Sequence, residues 1–322
     1  MTRYFILGGG IAALSAAQAI RENDPSGLIV LIGSEPSLPY FRPALTKQLP
    51  GNVSAEDIAV RSSAWYDAPG RDIVTLTGRT VSAIDVEKKT VALADGNVFA
   101  YDKLVYALGA RCFIPPFEGS DRPNVVAVRT AQDAARVHEL AKNTKNAVVI
   151  GGGVLGLEAA WGLRQGGLAV SVVEFDARVM ARQADAETSE RIARAMRDHG
   201  VRLYTCAGAA RLDDQGLHLL DGRILPADLV IVSAGVRANA EIAAAAGIRV
   251  DRKVVVDEGM RTSAPDVYAA GDCAVCGVSC ALWPEAEEMG RVAGVNAAGG
   301  HAEYRPAPYP VHFSGFGVEA HG

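Results

Sequence analysis

Tyr4-Phe5-Ile6-Leu7-Gly8-Gly9-Gly10-Ile11-Ala12-Ala13 is the stretch on which the reading of this chain turns. An apolar run short enough for a buried strand meets a glycine turn, and the turn opens directly into a helical pattern of Ile11, Leu14, Ala17, Ala19 and Ile20. Gly8, Gly10 and Ala13 fall at the G-x-G-x-x-G/A positions. That spacing has a physical purpose. The first glycine permits the tight turn, the second lets the backbone approach a pyrophosphate, and the third small residue keeps the helix near the sheet. The helix start then offers free N–H groups and the positive end of its dipole to the anion. A second strand, Leu28 to Ile32, leads on to Glu35, an acid placed to accept from ribose hydroxyls.

The arrangement recurs. Asn146-Ala147-Val148-Val149-Ile150-Gly151-Gly152-Gly153-Val154-Leu155-Gly156-Leu157-Glu158 repeats strand, turn and helix, with Gly151, Gly153 and Gly156 in the three positions. The following strand, Ala169 to Val173, ends on Glu174. One fingerprint is a weak signal, because glycine-rich turns into helices also occur with nothing bound. Two, each in a βαβ setting and each followed by an acid, predict a chain that holds two dinucleotides at once. An acid at Glu174 also repels a 2′-phosphate, which favours NADH over NADPH, although Arg178 and Arg182 lie close in sequence.

Composition agrees with such a fold. The chain has 322 residues, 49% of them apolar, with 34 glycines and 6% aromatic residues, enough for about two domains with their own cores. A net charge of -5 provides no basic footprint for nucleic acid. No apolar run reaches the roughly 18 residues of a membrane span. A strand beginning by the third residue leaves no room for a signal peptide, and five unevenly placed cysteines fit a reducing, cytoplasmic setting.

Along the chain, Pro36-Ser37-Leu38-Pro39-Tyr40-Phe41-Arg42-Pro43 is a stiff loop, followed by a short helix from Ala44 to about Leu49. Short strands between Asp72 and Val105 read as a β-meander inserted into a nucleotide-binding domain. A helix is expected over Ala131 to Asn143, another over Thr188 to Asp198, and a third from Pro284 to about Ala298. Strands at Val254-Val255-Val256 and Val267 to Asp272 look like a return to the first domain, and one more strand is expected at Pro310 to Phe313. The expected fold is therefore α/β, with two Rossmann-like dinucleotide-binding domains whose parallel sheets carry inserted β-meanders. The second domain, 111–236, is expected to be inserted in the first, 1–110 and 237–302, followed by a C-terminal segment, 303–322, which a family resemblance would make the truncated start of an interface segment.

On these motifs the sequence resembles the FAD-dependent pyridine nucleotide–disulfide oxidoreductase superfamily. Within it, the resemblance is to NADH:rubredoxin reductases, the reductase part of nitrite reductase large subunits, and ferredoxin reductases of oxygenase systems. Besides the two glycine turns, the carrying motifs are Pro39-Tyr40-Phe41-Arg42-Pro43-Ala44-Leu45-Thr46-Lys47, Tyr101-Asp102-Lys103-Leu104-Val105-Tyr106-Ala107-Leu108-Gly109, and Val267 to Asp272. The resemblance implies FAD in the first domain. Gly8, Gly10, Ile11, Ala12 and Ala13 would hold it at the turn, Glu35 at the adenosine ribose, and Arg42 at the pyrophosphate or by stacking. Val81, Ala107, Gly109 and Arg129 would add contacts, and Gly271 and Asp272 would take the ribityl chain and phosphate. Trp283 opens a helix whose positive end would face the flavin N1/O2 edge. The resemblance further implies NAD(P)H in the inserted domain, held by Gly151, Gly153, Val154, Leu155, Gly156, Glu174 and Gly235, with the nicotinamide stacked on the flavin. Lys47 would lie near flavin N5 and pair with Glu158, these two being the expected catalytic residues; burying either charge alone would be costly.

The departures from the family narrow the function. Disulfide-reducing relatives carry a C-x4-C near the first domain's early helix, and peroxidase and water-forming oxidase relatives place a cysteine near Arg42–Lys47; neither is present. The expected enzyme therefore takes hydride from NADH onto flavin and passes electrons directly to a small redox protein such as rubredoxin. An NADH oxidase, the reductase component of a nitrite reductase-like system, and a non-catalytic NADH-sensing flavoprotein are the alternatives. Cys273, Cys276 and Cys280 form a C-x2-C-x3-C run after Asp272, with Cys112 a candidate fourth ligand. Small buried residues beside a tight cofactor site explain the run better than a structural zinc, which takes four ligands at other spacings. The six histidines show no pair at ligand spacing, so they read as surface residues and no metal is expected. Oligomeric state has no sequence signature here.

Overall fold

Residues 1–279, 281–307 and 309–321 are described in the computed structural model, and their contacts gather into two units. The first contains Met1–Phe41, Ala55–Arg111 and Arg237–Tyr309; the second contains Arg42–Ser54, Cys112–Val236 and Pro310–Gly322. The expected first part, 1–110, thus gives up Arg42–Ser54, and the final segment divides at Tyr309.

The first unit is built on a five-stranded sheet in the order Val267–Ala269, Lys103–Tyr106, Arg3–Leu7, Leu28–Ile32, Ile73–Leu76. All of its pairings are parallel. Its strands are nearly unbroken apolar runs because both faces are covered: Ile6, Leu7, Ile29 and Leu104 are fully buried. Helices Ile11–Asn23 and Trp283–Ala297 pack tightly against each other through small residues. A Cβ on Gly290 would fall 2.2 Å from the Ala12 carbonyl oxygen, and one on Gly294 2.4 Å from that of Ala16. A separate antiparallel sheet holds Val81–Asp85, Thr90–Leu93 and Val98–Ala100.

One sequence assignment is corrected here. Ile73–Leu76 and Lys103–Tyr106, read as parts of the meander, are strands of the central parallel sheet. The cue lies in burial: Leu104, Val105 and Tyr106 form a continuous buried apolar run, whereas the meander strand Thr90–Leu93 alternates. Likewise Lys253–Val255 joins a small sheet with Val250–Asp251 and Ala274–Val275, and of the two expected returning strands Val267–Ala269 is the one that joins the main sheet.

The second unit repeats the plan. Its five-stranded parallel sheet runs Arg202–Tyr204, Ala169–Val173, Asn146–Ile150, Leu229–Val232, Val125–Val126. Ala209–Asp213, Gly216–Leu219 and Ile224–Leu225 form its antiparallel meander. In both units the strand that feeds the glycine turn is the central one of five. Strands on its two sides are reached in opposite directions, which leaves a crevice at its carboxyl end for a ligand.

Arg42–Ser54 belongs to the second unit because helix Val154–Gln165 presents a glycine face to it. A Cβ on Gly162 would sit 2.1 Å from the Leu49 carbonyl oxygen, and one on Gly166 2.6 Å from Pro50. Ala44, Leu45, Thr46 and Leu49 are buried in this packing. The short helix there, Ala44–Lys47, ends earlier than expected. The last described segment is a hairpin, His312–Gly315 with Val318–His321, where the sequence reading placed a single strand. No helix among the described residues is long and apolar enough to cross a membrane.

Candidate functional site

In the first unit, strand Arg3–Leu7 delivers Gly8 into the turn with φ +135, where a Cβ would lie 2.0 Å from the Ala107 carbonyl oxygen. Only glycine fits, for steric and conformational reasons together. Gly10 differs. Its φ of -105 suits any residue, and a Cβ there meets no protein atom within 4 Å. As far as the protein's own packing goes, a side chain would be tolerated; the glycine keeps the backbone open toward the crevice. Helix Ile11–Asn23, which starts at this point, has no side-chain cap. Gly271, with φ +78, lies against Ala12, so the segment Gly271–Cys273 borders the same helix start.

The second unit has the same construction. Gly151 (φ +111) would place a Cβ 2.2 Å from the Ser233 carbonyl oxygen, Gly156 one 2.0 Å from that of Gly151, and Gly153 one with no atom within 4 Å. Helix Val154–Gln165 again lacks a side-chain cap. By contrast, helix Ala131–Ala141 is closed by a Thr130–Asp133 capping box, and Ala186–Asp198 by Asp185. Those two helix starts have an N–H group satisfied by a side chain; the starts after both glycine turns do not, nor does that of helix Trp283–Ala297. Both turns therefore suit the phosphates of a dinucleotide.

Each acid is held by a partner the sequence reading did not name. Glu174 accepts from Gly152 N at 2.5 Å and from Asp176 N at 2.7 Å, which fixes the carboxylate across the turn. Each oxygen keeps further acceptor capacity. A Cβ on Gly152 would come 2.9 Å from Glu174 Oε2, so the middle glycine of the triplet serves the acid. Glu35 accepts from the Tyr40 hydroxyl at 2.5 Å. Arg178 does not extend toward Glu174: its guanidinium donates to the Ala184 and Ala181 carbonyls and to Ser189 Oγ.

Glu158 and Lys47 are brought together, but loosely. Glu158 is 4% exposed, and its Oε1 lies 3.8 Å from Lys47 Nζ, a separation for an ion pair rather than a hydrogen bond. Its close partner is Thr46, whose hydroxyl donates to Oε2 at 2.6 Å. Burial pushes the Glu158 carboxyl above its ordinary value, and Thr46, Lys47 and His312 only partly oppose that. Thr46 was legible only as the neighbour of Lys47. Arg42 and Arg129 also meet, with Arg42 Nη1 donating to the Arg129 carbonyl at 2.9 Å, and both belong to the second unit.

Of the remaining expected contacts, Val81 begins the first meander strand and is buried, while Ala107 and Gly109 line the turn after strand Lys103–Tyr106. Gly235, with φ +94, accepts from Phe113 N. Trp283 opens its helix and meets Phe41 edge-on at 5.0 Å between ring centroids. That helix has no side-chain cap, and Glu285 in its first turn, 3% exposed, reaches back to accept from Ala281 N, just before the helix, at 2.6 Å.

Cys273 and Cys276 are buried and free, and burial pushes the Cys273 thiol up to about 12. Cys112 and Cys206 are free as well. Cys280 lies outside the described residues, and no described cysteine belongs to a metal-capable group. The histidine reading is corrected in two respects. His138 and His218 are half-buried, bonded to the Pro50 carbonyl and to Asp213. His312 and His321 face each other across the hairpin.

The sequence profile of the pyridine nucleotide-disulphide oxidoreductases matches residues 2–290 of this chain. The chain is 36% identical over 279 residues to the assimilatory nitrate reductase electron transfer subunit of Bacillus subtilis (strain 168), covering 84% of this chain and 36% of that one. It is 37% identical over 276 residues to the rhodocoxin reductase of Rhodococcus erythropolis, covering 84% of this chain and 64% of that one. Among solved structures, the NAD-dependent persulfide reductase from A. fulgidus matches with a TM-score of 0.94 and 30% identity, over 99% of this chain and 63% of that one. The chain spans 36% and 64% of the two curated relatives.

Proposed function

Because the chain belongs to the pyridine nucleotide-disulphide oxidoreductase family, we propose that it is an NADH-dependent flavoprotein reductase that hands electrons to a small redox protein, rubredoxin being the first candidate. The observation that carries this reading is the pair of glycine turns, each at the central strand of a parallel sheet and each opening an uncapped helix. When bound, FAD supplies a two-electron acceptor for hydride that can release its electrons singly.

The residues divide the work by unit. In the first, Gly8 to Ala13 would hold the FAD pyrophosphate, Glu35 the ribose, and Gly271 and Asp272 the ribityl chain. In the second, Gly151 to Gly156 would hold NADH, and Glu174, whose carboxylate accepts from Gly152 N and Asp176 N, would accept from the adenosine ribose. A fixed carboxylate at that place disfavours a 2′-phosphate, and Arg178, committed to its own loop, offers no compensating charge. Lys47, about half exposed on Glu158, would present a positive charge to the developing negative charge of reduction. Hydride transfer asks for orientation and field rather than a general base. The absence of any cysteine between Pro39 and Leu49 supports direct electron exit over peroxidase or water-forming oxidase chemistry. Free thiols at the described cysteines support a reducing, cytoplasmic compartment.

Anaerobic addition of NADH to the FAD-loaded protein should bleach the flavin absorption band, and reduced rubredoxin should then accumulate in turnover. Failure to bleach overturns the reading. Bleaching followed by oxygen consumption equal with and without rubredoxin would replace the reductase with an oxidase.

A further inference from the structure

The hairpin His312–Gly315/Val318–His321 has two sharply different faces. Phe313, Phe316 and Ala320 are buried, and Phe316 packs on Trp161 of helix Val154–Gln165 at 5.0 Å between ring centroids. Alternation then sends His312, Ser314, Glu319 and His321 to the exposed face. His312 pairs directly with His321, and Ser314 with Glu319, so Glu319 stands diagonal to His312. The register cannot slip by one residue without exposing Phe313 and Ala320, so these side chains are held together by the buried face beneath them.

We propose that His312, Glu319 and His321 form a binding site for a late first-row divalent metal ion such as zinc. One ligand atom from each lies within 4.8 Å of the others. Zinc bonds of about 2.0–2.2 Å in a tetrahedron bring ligand atoms to about 3.3 Å apart, so side-chain rotation alone closes the set. The imidazole rings already face each other at 4.8 Å between centroids. Among the described residues neither imidazole makes a hydrogen bond or ion pair, and His312 acts on the buried Glu158 only through its charge. The Glu319 carboxylate is likewise unengaged; only its backbone carbonyl is used, accepting from Arg191 at 3.1 Å. Two imidazoles and one carboxylate suit zinc, cobalt, nickel or copper and not magnesium or calcium, which prefer all-oxygen shells. Water completes the coordination, as in open three-ligand sites.

The test uses the full chain without a histidine tag, in a Cys206→Ser background so that an exposed thiol does not compete. Titration with cobalt chloride should give one equivalent of saturable visible absorption, with an apparent Kd of roughly 1–100 µM, displaced by zinc chloride and not by millimolar magnesium. His312→Ala and His321→Ala should each weaken cobalt binding at least tenfold, and Ser314→Ala should leave it unchanged. Thermal unfolding in EDTA checks that each variant is folded. No saturable binding below about 1 mM overturns the proposal, as does binding that survives either histidine substitution.

Discussion

Replacing Gly8 and Gly10 in turn by alanine separates what the first turn does for the fold from what it does for a ligand. At Gly8 the new Cβ would lie 2.0 Å from the Ala107 carbonyl oxygen, on a backbone with φ +135. Neither the backbone atom nor the dihedral can yield cheaply. Gly8→Ala should therefore cost about 4 kcal/mol or more and unfold much of the first unit. At Gly10 the Cβ meets no protein atom within 4 Å and φ is -105. Gly10→Ala should leave the apo fold within about 0.5 kcal/mol of wild type, or stabilise it slightly by restricting the unfolded chain. The methyl group would instead stand where a pyrophosphate must reach the helix N–H groups. Losing charge-assisted hydrogen bonds of about 1.5–3 kcal/mol corresponds to roughly ten- to a hundredfold weaker FAD binding. Thermal unfolding of the apo proteins measures the first effect, and quenching of flavin fluorescence during FAD titration the second. Wild-type FAD affinity in Gly10→Ala would refute the assignment of this turn, and a loss of stability matching Gly8→Ala would refute the steric reasoning.

Further expectations follow from the second unit. Gly153→Ala, by the same logic, should weaken NADH at least tenfold with little change in melting temperature; equal NADH affinity would count against the second cradle. Gly162→Ala would drive a Cβ into the Leu49 carbonyl at 2.1 Å and should cost about 1–3 kcal/mol by thermal denaturation. Thr46→Val removes the 2.6 Å hydrogen bond to the buried Glu158 carboxylate, a loss of about 1.5–3 kcal/mol at neutral pH. Glu158 has its carboxyl raised by burial, so the folded state holds that proton more tightly than the unfolded chain does. Wild-type stability should thus fall, relative to Glu158→Gln, as pH rises from the ordinary carboxylate range through the raised folded value. Urea denaturation of both proteins across that window measures it, and a wild-type stability that holds constant or rises relative to Glu158→Gln with rising pH contradicts the burial argument.

Much of the candidate site was readable because its parts are local. The glycine triplets, the apolar strands before them and the helices after them are contiguous, so spacing alone carries their geometry. The acids Glu35 and Glu174 follow from the same units. Their partners were not readable: Tyr40 reaches Glu35 through the fold of a proline-rich loop, and Gly152 reaches Glu174 across the turn. The strands Ile73–Leu76 and Lys103–Tyr106 were misplaced because short apolar runs do not state which sheet they enter.

By itself the sequence determined two strand–glycine–helix units and therefore an α/β chain with two nucleotide-type turns, since that information lies within about thirty consecutive residues each time. Only the tertiary structure decided that Arg42–Ser54 packs on the glycine face of helix Val154–Gln165, that Thr46 rather than Lys47 is the close partner of Glu158, and that His312, Glu319 and His321 share one face. Those facts depend on which distant backbones can approach closely and on strand register. Such constraints are set by packing between segments, and no local pattern encodes them.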